Sequence, residues 1–171
     1  MTHHSLFFDA PFEQHGREIY RDPKWPADPL FYVSMPSVTD PACAPQGSEN
    51  LFFLVPVASG LEGDTEELRE KYFDKIADRF EKRTGQTIRD SIVCKKTYSV
   101  SDFVNDYHSF RGNAYGLANT LMQTAILKPS CKSKKVHNLF YTGQLTVPGP
   151  GVPPSLISGE VVANEVIKSF V

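Results

Sequence analysis

Residues 138–166 read NLFYTGQLTVPGPGVPPSLISGEVVANEV, and this stretch predicts a strand, a loop and a helix. Residues 139–142 are bulky and β-prone, and Gly143 allows a sharp turn, so we expect the strand to end there. Pro153 and Pro154 suit a first helical turn, where Ser155 or Ser158 can accept hydrogen bonds from unpaired amides. Apolar residues at three- and four-residue spacing then predict a face buried against a sheet. They are Leu156, Ala163, Val166, Ile167 and Phe170, with Gly159 or Glu160 between.

The amino end of this helix faces a glycine-containing loop. The helix dipole and the first N–H groups favour an anion at such a place, for example a pyrophosphate. Residues 149–154, GPGVPP, imitate the dinucleotide fingerprint GxGxxG, but Pro154 replaces the third glycine and Gly149 lies well beyond the strand end. The fingerprint therefore fails, and an ordinary strand, turn and packing helix explains the local pattern equally well.

Composition narrows the class of protein. The 171 residues suit one ordinary domain, and 40% of them are apolar and 22% charged. A net charge of −2 argues against binding driven by nucleic-acid phosphates. The sequence has no apolar run of about twenty residues and no basic start followed by an apolar core, so it predicts neither a membrane span nor a signal peptide. We expect a cytoplasmic, globular protein.

Cysteine and histidine give no sign of a disulfide frame or a metal site. Cys43, Cys94 and Cys131 are widely spaced and form no CxxC pair. His3 and His4 are adjacent, so we expect them to project to opposite sides of a strand. The remaining histidines are isolated, and surface or capping roles are expected for them; they are His15, His108 and His137.

Elsewhere the chain alternates helical and extended patterns, which predicts an α+β fold. The clearest helix covers 65–84, with Asp64 and Glu67 as a capping-box-like pair and Gly85 as the stop. A shorter helix is expected at 101–107 with Ser101 as its N-cap. Further patterns predict a helix at 11–20 and strands at 6–8, 31–35, 51–57 and 88–98.

Three blocks in fixed order carry a family resemblance. The first is MPSVTDP at 35–41 with APQG at 44–47 and the apolar run 51–57. The second is RGNAYG at 111–116 with LMQT at 121–124 and Lys128-Pro129. The third is the closing segment quoted above. Together they resemble the bacterial-type carotenoid desaturases, flavoproteins that include phytoene dehydrogenases, carotenoid isomerases and retinol saturases.

The resemblance implies a division of the chain. Enzymes of this family are several hundred residues long and begin with a Rossmann-type FAD fingerprint, so the chain is expected to be a carboxyl-terminal portion: an expressed domain, a truncated gene or a split subunit. Residues 1–136 would form part of a substrate-binding domain with a mixed or antiparallel sheet and packing helices. Residues 137–171 would be the terminal strand and helix of the FAD-binding domain.

The resemblance also implies a reaction and a cofactor. FAD accepts a hydride from a saturated carbon–carbon unit of a long apolar polyene, which is desaturated, or isomerised in related enzymes. Thr142, Gly143 and Gln144 would lie beside the ribityl chain and pyrophosphate. Gly151, Val152 and Pro153 would lie near the flavin ring. The chain by itself is expected neither to retain FAD nor to be active.

Substrate and catalytic roles are less specific. Tyr115, Leu117, Leu121 and Met122 line the polyene tunnel in one interpretation and belong to the core in the other. Asp40 and Arg111 are acid–base candidates, but a turn residue and a surface ion pair explain them equally well. No catalytic residue is assigned.

Partners follow from the same resemblance. The family reaches its substrate as a peripheral membrane protein, which would suit three lysines in one loop, Lys132, Lys134 and Lys135. A closing helix without its sheet could also pair between two copies in a homodimer. The alternative function is a standalone module that binds an apolar ligand or a partner and performs no redox chemistry.

Overall fold

The computed structural model describes residues 1–118, 120–124 and 127–170. These residues form two compact units, which divide between Asp102 and Phe103. Residues 103–136 are thus grouped with the closing segment. The domain boundary inferred at 136/137 stays a prediction, and Val171 of the inferred second domain lies outside the described residues.

A three-stranded antiparallel sheet forms the centre of the first unit, in the order β1-β2-β3. The strands are β1 (His4–Phe7), β2 (Phe31–Ser34) and β3 (Phe52–Leu54). Phe7 pairs with Phe31, and Val33 pairs with Phe53. Three of the predicted strands are confirmed: β1 begins two residues before and ends one residue before the predicted run, and β2 and β3 are shorter than predicted.

One face of this sheet packs on the long helix α2 (Glu66–Thr84). Phe31 and Val33 of the sheet and Ile76 and Phe80 of the helix form the buried cluster. The Phe7 ring stacks on Phe31 with centroids 4.4 Å apart, within the range in which aromatic pairs stabilise a core beyond their buried area. The predicted apolar stripe of this helix is therefore its buried face.

A buried histidine fixes α1 (Phe12–Tyr20) in the first unit. His15 is 3% exposed; its Nδ1 accepts a hydrogen bond from Leu30 N at 3.1 Å, and its Nε2 lies 2.9 Å from Pro56 O. Because one nitrogen must accept and the other must donate, the ring is the neutral Nε2–H tautomer. A surface or capping role for His15 was wrong, since the ring connects α1 to the segments beside β2 and β3.

The amino end of α2 differs from its expected cap. Thr65 is the N-cap and accepts from Leu68 N at 3.3 Å, while Gly85 ends the helix in the left-handed conformation, as predicted. Asp64 instead accepts hydrogen bonds from Arg69 and from Ser101 N and Oγ. Ser101 therefore does not cap the following helix but lies within its first turn, in α3 (Val100–Tyr107).

The strand expected at 88–98 does not form. A short 3-10 helix, Arg89–Ser91, is present there, and the rest of the segment is irregular. The Glu81 carboxylate accepts from Ile88 N at 2.8 Å and from Arg89 N at 3.2 Å. Backbone amides that a sheet would pair are thus satisfied by a side chain of α2, which explains the error.

The second unit contains α4 (Val152–Phe170), which confirms the predicted helix. The strand expected at 139–142 is reduced to a single bridge between Lys132 and Phe140. The apolar face of α4 is not buried within this unit, since Leu156 is 79%, Ile167 59% and Phe170 70% exposed, and its burial against a sheet stays a prediction. The described residues of this unit provide no sheet that would cover the apolar face, and the buried residue of α4 is instead Ser158, on the opposite side.

Within the described ranges, no helix combines the length and the apolarity that crossing a bilayer requires.

Acid should weaken the first unit through Asp64. Burial raises the pKa of this carboxyl, but the hydrogen bonds from Arg69 and Ser101 outweigh burial and lower the pKa from 3.8 to about 2. Because the folded-state pKa is depressed, this stabilisation is complete above the unfolded pKa and is lost as the pH falls towards 2. It amounts to about 2 kcal/mol.

Urea unfolding between about pH 5 and pH 2 checks this expectation. Asp64→Asn should lower the free energy of unfolding at the upper pH and flatten its pH dependence. Asp22→Asn is the matched control, because Asp22 forms an exposed ion pair with Lys24. Parallel pH profiles for the wild type and Asp64→Asn would contradict the assignment.

Candidate functional site

The candidate site is the loop 142–151 that leads into α4. Three glycines in it, Gly143, Gly149 and Gly151, have positive φ values of 100°, 137° and 115°. Side chains are disfavoured at such angles, so the sequence must place glycine there. The result is a loop with three left-handed glycines directly before a helix, in which Gly151 is exposed and Gly149 buried.

A buried serine of α4 holds the start of this loop. Ser158 is 0% exposed, and its Oγ accepts from Gly143 N at 2.8 Å, lies 2.9 Å from Thr142 Oγ1 and donates to Ser155 O at 2.7 Å. The sequence indicated a serine that serves unpaired amides near this helix end. The amide served by Ser158 belongs to the loop and not to the helix.

A second buried hydroxyl closes the turn. Thr146 is 2% exposed, and its N and Oγ1 donate to Gly143 O at 3.1 and 2.9 Å. Further along, a Cβ atom on Gly149 would lie 3.2 Å from Lys128 Nζ, so the buried Lys128 approaches the loop backbone closely. The start of the loop is therefore held by hydrogen bonds with Ser158 and Thr146, and Lys128 lies beside its other end.

The amino end of α4 has few hydrogen-bond donors. Pro153 and Pro154 have no N–H group, and Ser155 N already donates to Gly151 O at 3.0 Å. An anion at a helix end needs several such amides as well as the dipole. The residues present fit an uncharged part of a cofactor, such as a ring, better than a pyrophosphate, and we place no anion at this end.

The structure brings a second predicted segment to this loop. Gly116 has φ +82°, and a Cβ atom on it would lie 2.4 Å from Leu145 Cδ2 and 3.9 Å from Gln144 Cγ. Gly116 N donates to Asn113 Oδ1 at 2.7 Å, which fixes the turn that carries Tyr115. The expected substrate segment and the expected cofactor segment thus meet at Gly116.

Residues proposed for the polyene lie at the surface of the second unit. Tyr115 is 62%, Leu121 84% and Met122 73% exposed, and Leu117 is half-buried. The core interpretation was therefore wrong within this unit for Tyr115, Leu121 and Met122. Their role in binding substrate stays a prediction.

The two acid–base candidates belong to different units, and Asp40 has a local role. Asp40 is exposed and accepts from Ala42 N at 2.9 Å, which caps a short 3-10 helix. Arg111 is exposed and has φ 56°, an uncommon angle for a residue other than glycine. Neither observation identifies a proton-transferring group.

Metal ligation receives no support from the described residues, which contain no group of three or more His, Cys, Asp or Glu side chains suited to an ion. The expectation that His3 and His4 project apart was wrong, because their ring centroids are 4.1 Å apart. His3 precedes β1 and contacts Thr39, while His4 contacts Tyr32 OH at 2.6 Å. Both rings have protein partners.

Comparison with characterised proteins identifies relatives over nearly the whole chain. It is 44% identical over 170 residues to the carotenoid 3,4-desaturase of Haloarcula japonica, covering 99% of this chain. It is 32% identical over 165 residues to the 4,4'-diapolycopen-4-al dehydrogenase of Metabacillus indicus, and 31% identical over 173 residues to a 4,4'-diapophytoene desaturase of Staphylococcus aureus. These alignments cover 96% and 98% of this chain. No protein-family profile matches.

The chain spans only about a third of these relatives, at 34%, 33% and 34% of their respective lengths. The resemblance that the three sequence blocks indicated is thus confirmed: the homologues are carotenoid-processing desaturases and dehydrogenases, and this chain corresponds to a part of them.

Gly116→Ala should destabilise the second unit, because the new Cβ combines a strained φ with a clash against Leu145. We expect a loss of about 1–3 kcal/mol, most of it from the strained φ, because the half-exposed Leu145 side chain can rotate away from the new methyl group. Leu145→Ala alone should cost little, since Leu145 is 50% exposed, and the double variant should recover the part due to the clash. Hydrogen exchange of amides in the second unit measures the stability of that unit in the wild type, in each single variant and in the double variant. Strict additivity of the two changes would show that the loops do not touch.

Proposed function

We propose that this chain, a homologue of the carotenoid desaturases, is the carboxyl-terminal third of an FAD-dependent oxidoreductase that desaturates a carotenoid polyene. The observation that carries the proposal is the meeting of two loops at Gly116, where the segment expected to contact substrate lies against Gln144 and Leu145. Dehydrogenation by a flavin requires that substrate and cofactor approach each other closely. When bound, FAD would supply the hydride acceptor for this chemistry.

The chain's own residues would bind and orient the cofactor. Val152 is 85% exposed and Pro153 is also exposed, so both offer apolar surface to a flavin ring. Gly151 lets the backbone approach such a ring without a side chain. Gln144 offers a carboxamide with two donors and an acceptor, which suits the hydroxyl groups of a ribityl chain.

The exposed apolar face of α4 supports the proposal that further protein covers this helix in the whole enzyme. Leu156, Ile167 and Phe170 recur along one side of the helix and are 59–79% exposed. Contiguous apolar surface of this kind is a feature of interfaces. Since the relatives are about three times as long as this chain, we assign this face to the remaining two thirds of the enzyme.

The side chains on the open face of the sheet in the first unit support the proposal that the substrate is apolar. Two rows of side chains cross the three strands on this face: Leu6, Tyr32 and Leu54, and His4, Ser34 and Phe52. Neither row contains Asp, Glu, Lys or Arg, although a solvated face of an antiparallel sheet is usually polar. Leu6 is 67% and Phe52 54% exposed. A hydrocarbon would cover such a surface favourably.

A hairpin in the second unit supports peripheral contact with a membrane. Lys134 and Lys135 are exposed at its tip beside Val136, which is 46% exposed. Lysines with adjacent apolar side chains attract anionic lipid.

Vesicle flotation tests membrane contact. The chain should float with anionic vesicles at low salt and much less with neutral ones, because the attraction is electrostatic. Reversing Lys134 and Lys135 to Glu should abolish flotation, whereas Lys24→Glu, at an exposed ion pair in the first unit, should have no effect. Equal flotation of both variants would refute the assignment to this hairpin.

Fragment complementation tests the flavin proposal. The chain alone should retain no flavin, whereas the chain co-produced with the other two thirds of the Haloarcula japonica relative should purify as a yellow complex. Leu156→Glu should abolish the complex by placing a charge in the proposed interface. Val93→Glu is the matched control, because Val93 is 95% exposed in the first unit.

Two results would contradict this arrangement. A complex that forms without flavin would favour the alternative of a binding module. A homodimer of the chain alone, seen by light scattering and lost in Leu156→Glu, would assign the apolar face to a second copy.

The complex would be assayed with a polyene hydrocarbon and with a polyene aldehyde, because the Metabacillus relative is named for an aldehyde. Loss of hydrogen from the hydrocarbon is the result we expect, since the Haloarcula desaturase has the higher identity, 44% against 32%.

A further inference from the structure

The hydroxyl of Ser158 has its full set of hydrogen bonds. A serine hydroxyl has one hydrogen to donate and two lone pairs to accept. Its hydrogen is directed to Ser155 O at 2.7 Å, and one lone pair accepts from Gly143 N at 2.8 Å. The contact with Thr142 Oγ1 at 2.9 Å must therefore have Thr142 as the donor.

This count limits what the loop can offer to a cofactor. The Gly143 amide and the Thr142 hydroxyl hydrogen are both directed at Ser158, inside the second unit. Neither group has a hydrogen left for a phosphate oxygen or a sugar hydroxyl. Thr142 and Gly143 were expected to lie beside the cofactor, and this stays a prediction, but the Thr142 hydroxyl hydrogen and the Gly143 amide hydrogen serve the protein.

We propose that Ser158 is the positioning residue of the cofactor loop and that Gln144, rather than the Thr142 hydroxyl or the Gly143 amide, donates the hydrogen bond to the cofactor. The proposal rests on the flavin function proposed above. Ser158 holds the two residues before Gln144, and Thr146 holds Gly143 O from the other side. The backbone on both sides of Gln144 is thereby fixed.

Flavin titration of the complemented protein tests this assignment, with bound flavin read from its visible absorbance and its quenched fluorescence. Ser158→Ala and Thr142→Val should each weaken flavin binding about tenfold, because a buried donor loses its acceptor or the loop loses its anchor. Thr142→Ser keeps the hydroxyl and should bind within about twofold of the wild type.

Two further variants separate positioning from general stability. Ser169→Ala removes another α4 hydroxyl, one that donates to Glu165 O at 2.8 Å and accepts from Lys132 Nζ at 3.0 Å, eleven residues along the helix from Ser158, and should leave flavin binding unchanged. Gln144→Ala should weaken binding without altering the hydrogen exchange of the Gly143 amide. That exchange should accelerate at least tenfold in Ser158→Ala, with or without flavin.

The outcomes are distinguishable. A wild-type complex that retains no flavin would reject the proposed function and, with it, this inference. Flavin binding in Ser158→Ala and Thr142→Val equal to that of the wild type would reject the positioning role alone. Equal weakening by Thr142→Ser and Thr142→Val would show that volume, and not the hydroxyl, matters at residue 142.

Discussion

The candidate site depends on one buried hydroxyl. Ser158 joins the second turn of α4 to the loop that precedes the helix, and all three of its hydrogen-bonding positions are used. A loop with three glycines at positive φ has little conformational preference of its own. Its shape must therefore be imposed by contacts with neighbouring elements, and Ser158, Thr146 and Lys128 supply them.

Helices with local signals were predictable from the sequence. The stripe of α2 and the left-handed Gly85 belong to the helix itself, so periodicity and a stop residue suffice to locate it. The strands of the first unit were found for a similar reason, since aromatic and β-branched runs fit a buried sheet. The candidate loop was also located correctly, because its glycines and prolines allow few alternatives.

The errors have a common physical origin in contacts between distant residues. Glu81 takes the amides of residues 88 and 89, and no local pattern in 88–98 reveals it. His15 is buried because Leu30 N and Pro56 O lie on either side of its ring. The orientation of α4 could not be read from its apolar stripe, because the described part of the second unit lacks the surface that would cover it. The roles of Thr142 and Gly143 likewise depend on Ser158.

The two-sided character of α4 has a consequence for sequence variation. Most exposed positions of a surface helix accept many residues, since only the packed side is constrained. On α4 the serine side is restricted by hydrogen-bond geometry, and the Leu156–Phe170 side by the protein layer that we assign to it. Tolerated substitutions should therefore be confined to the narrow strip that includes Asn164 and Lys168. Such a helix would change more slowly in evolution than its solvent exposure in this chain suggests.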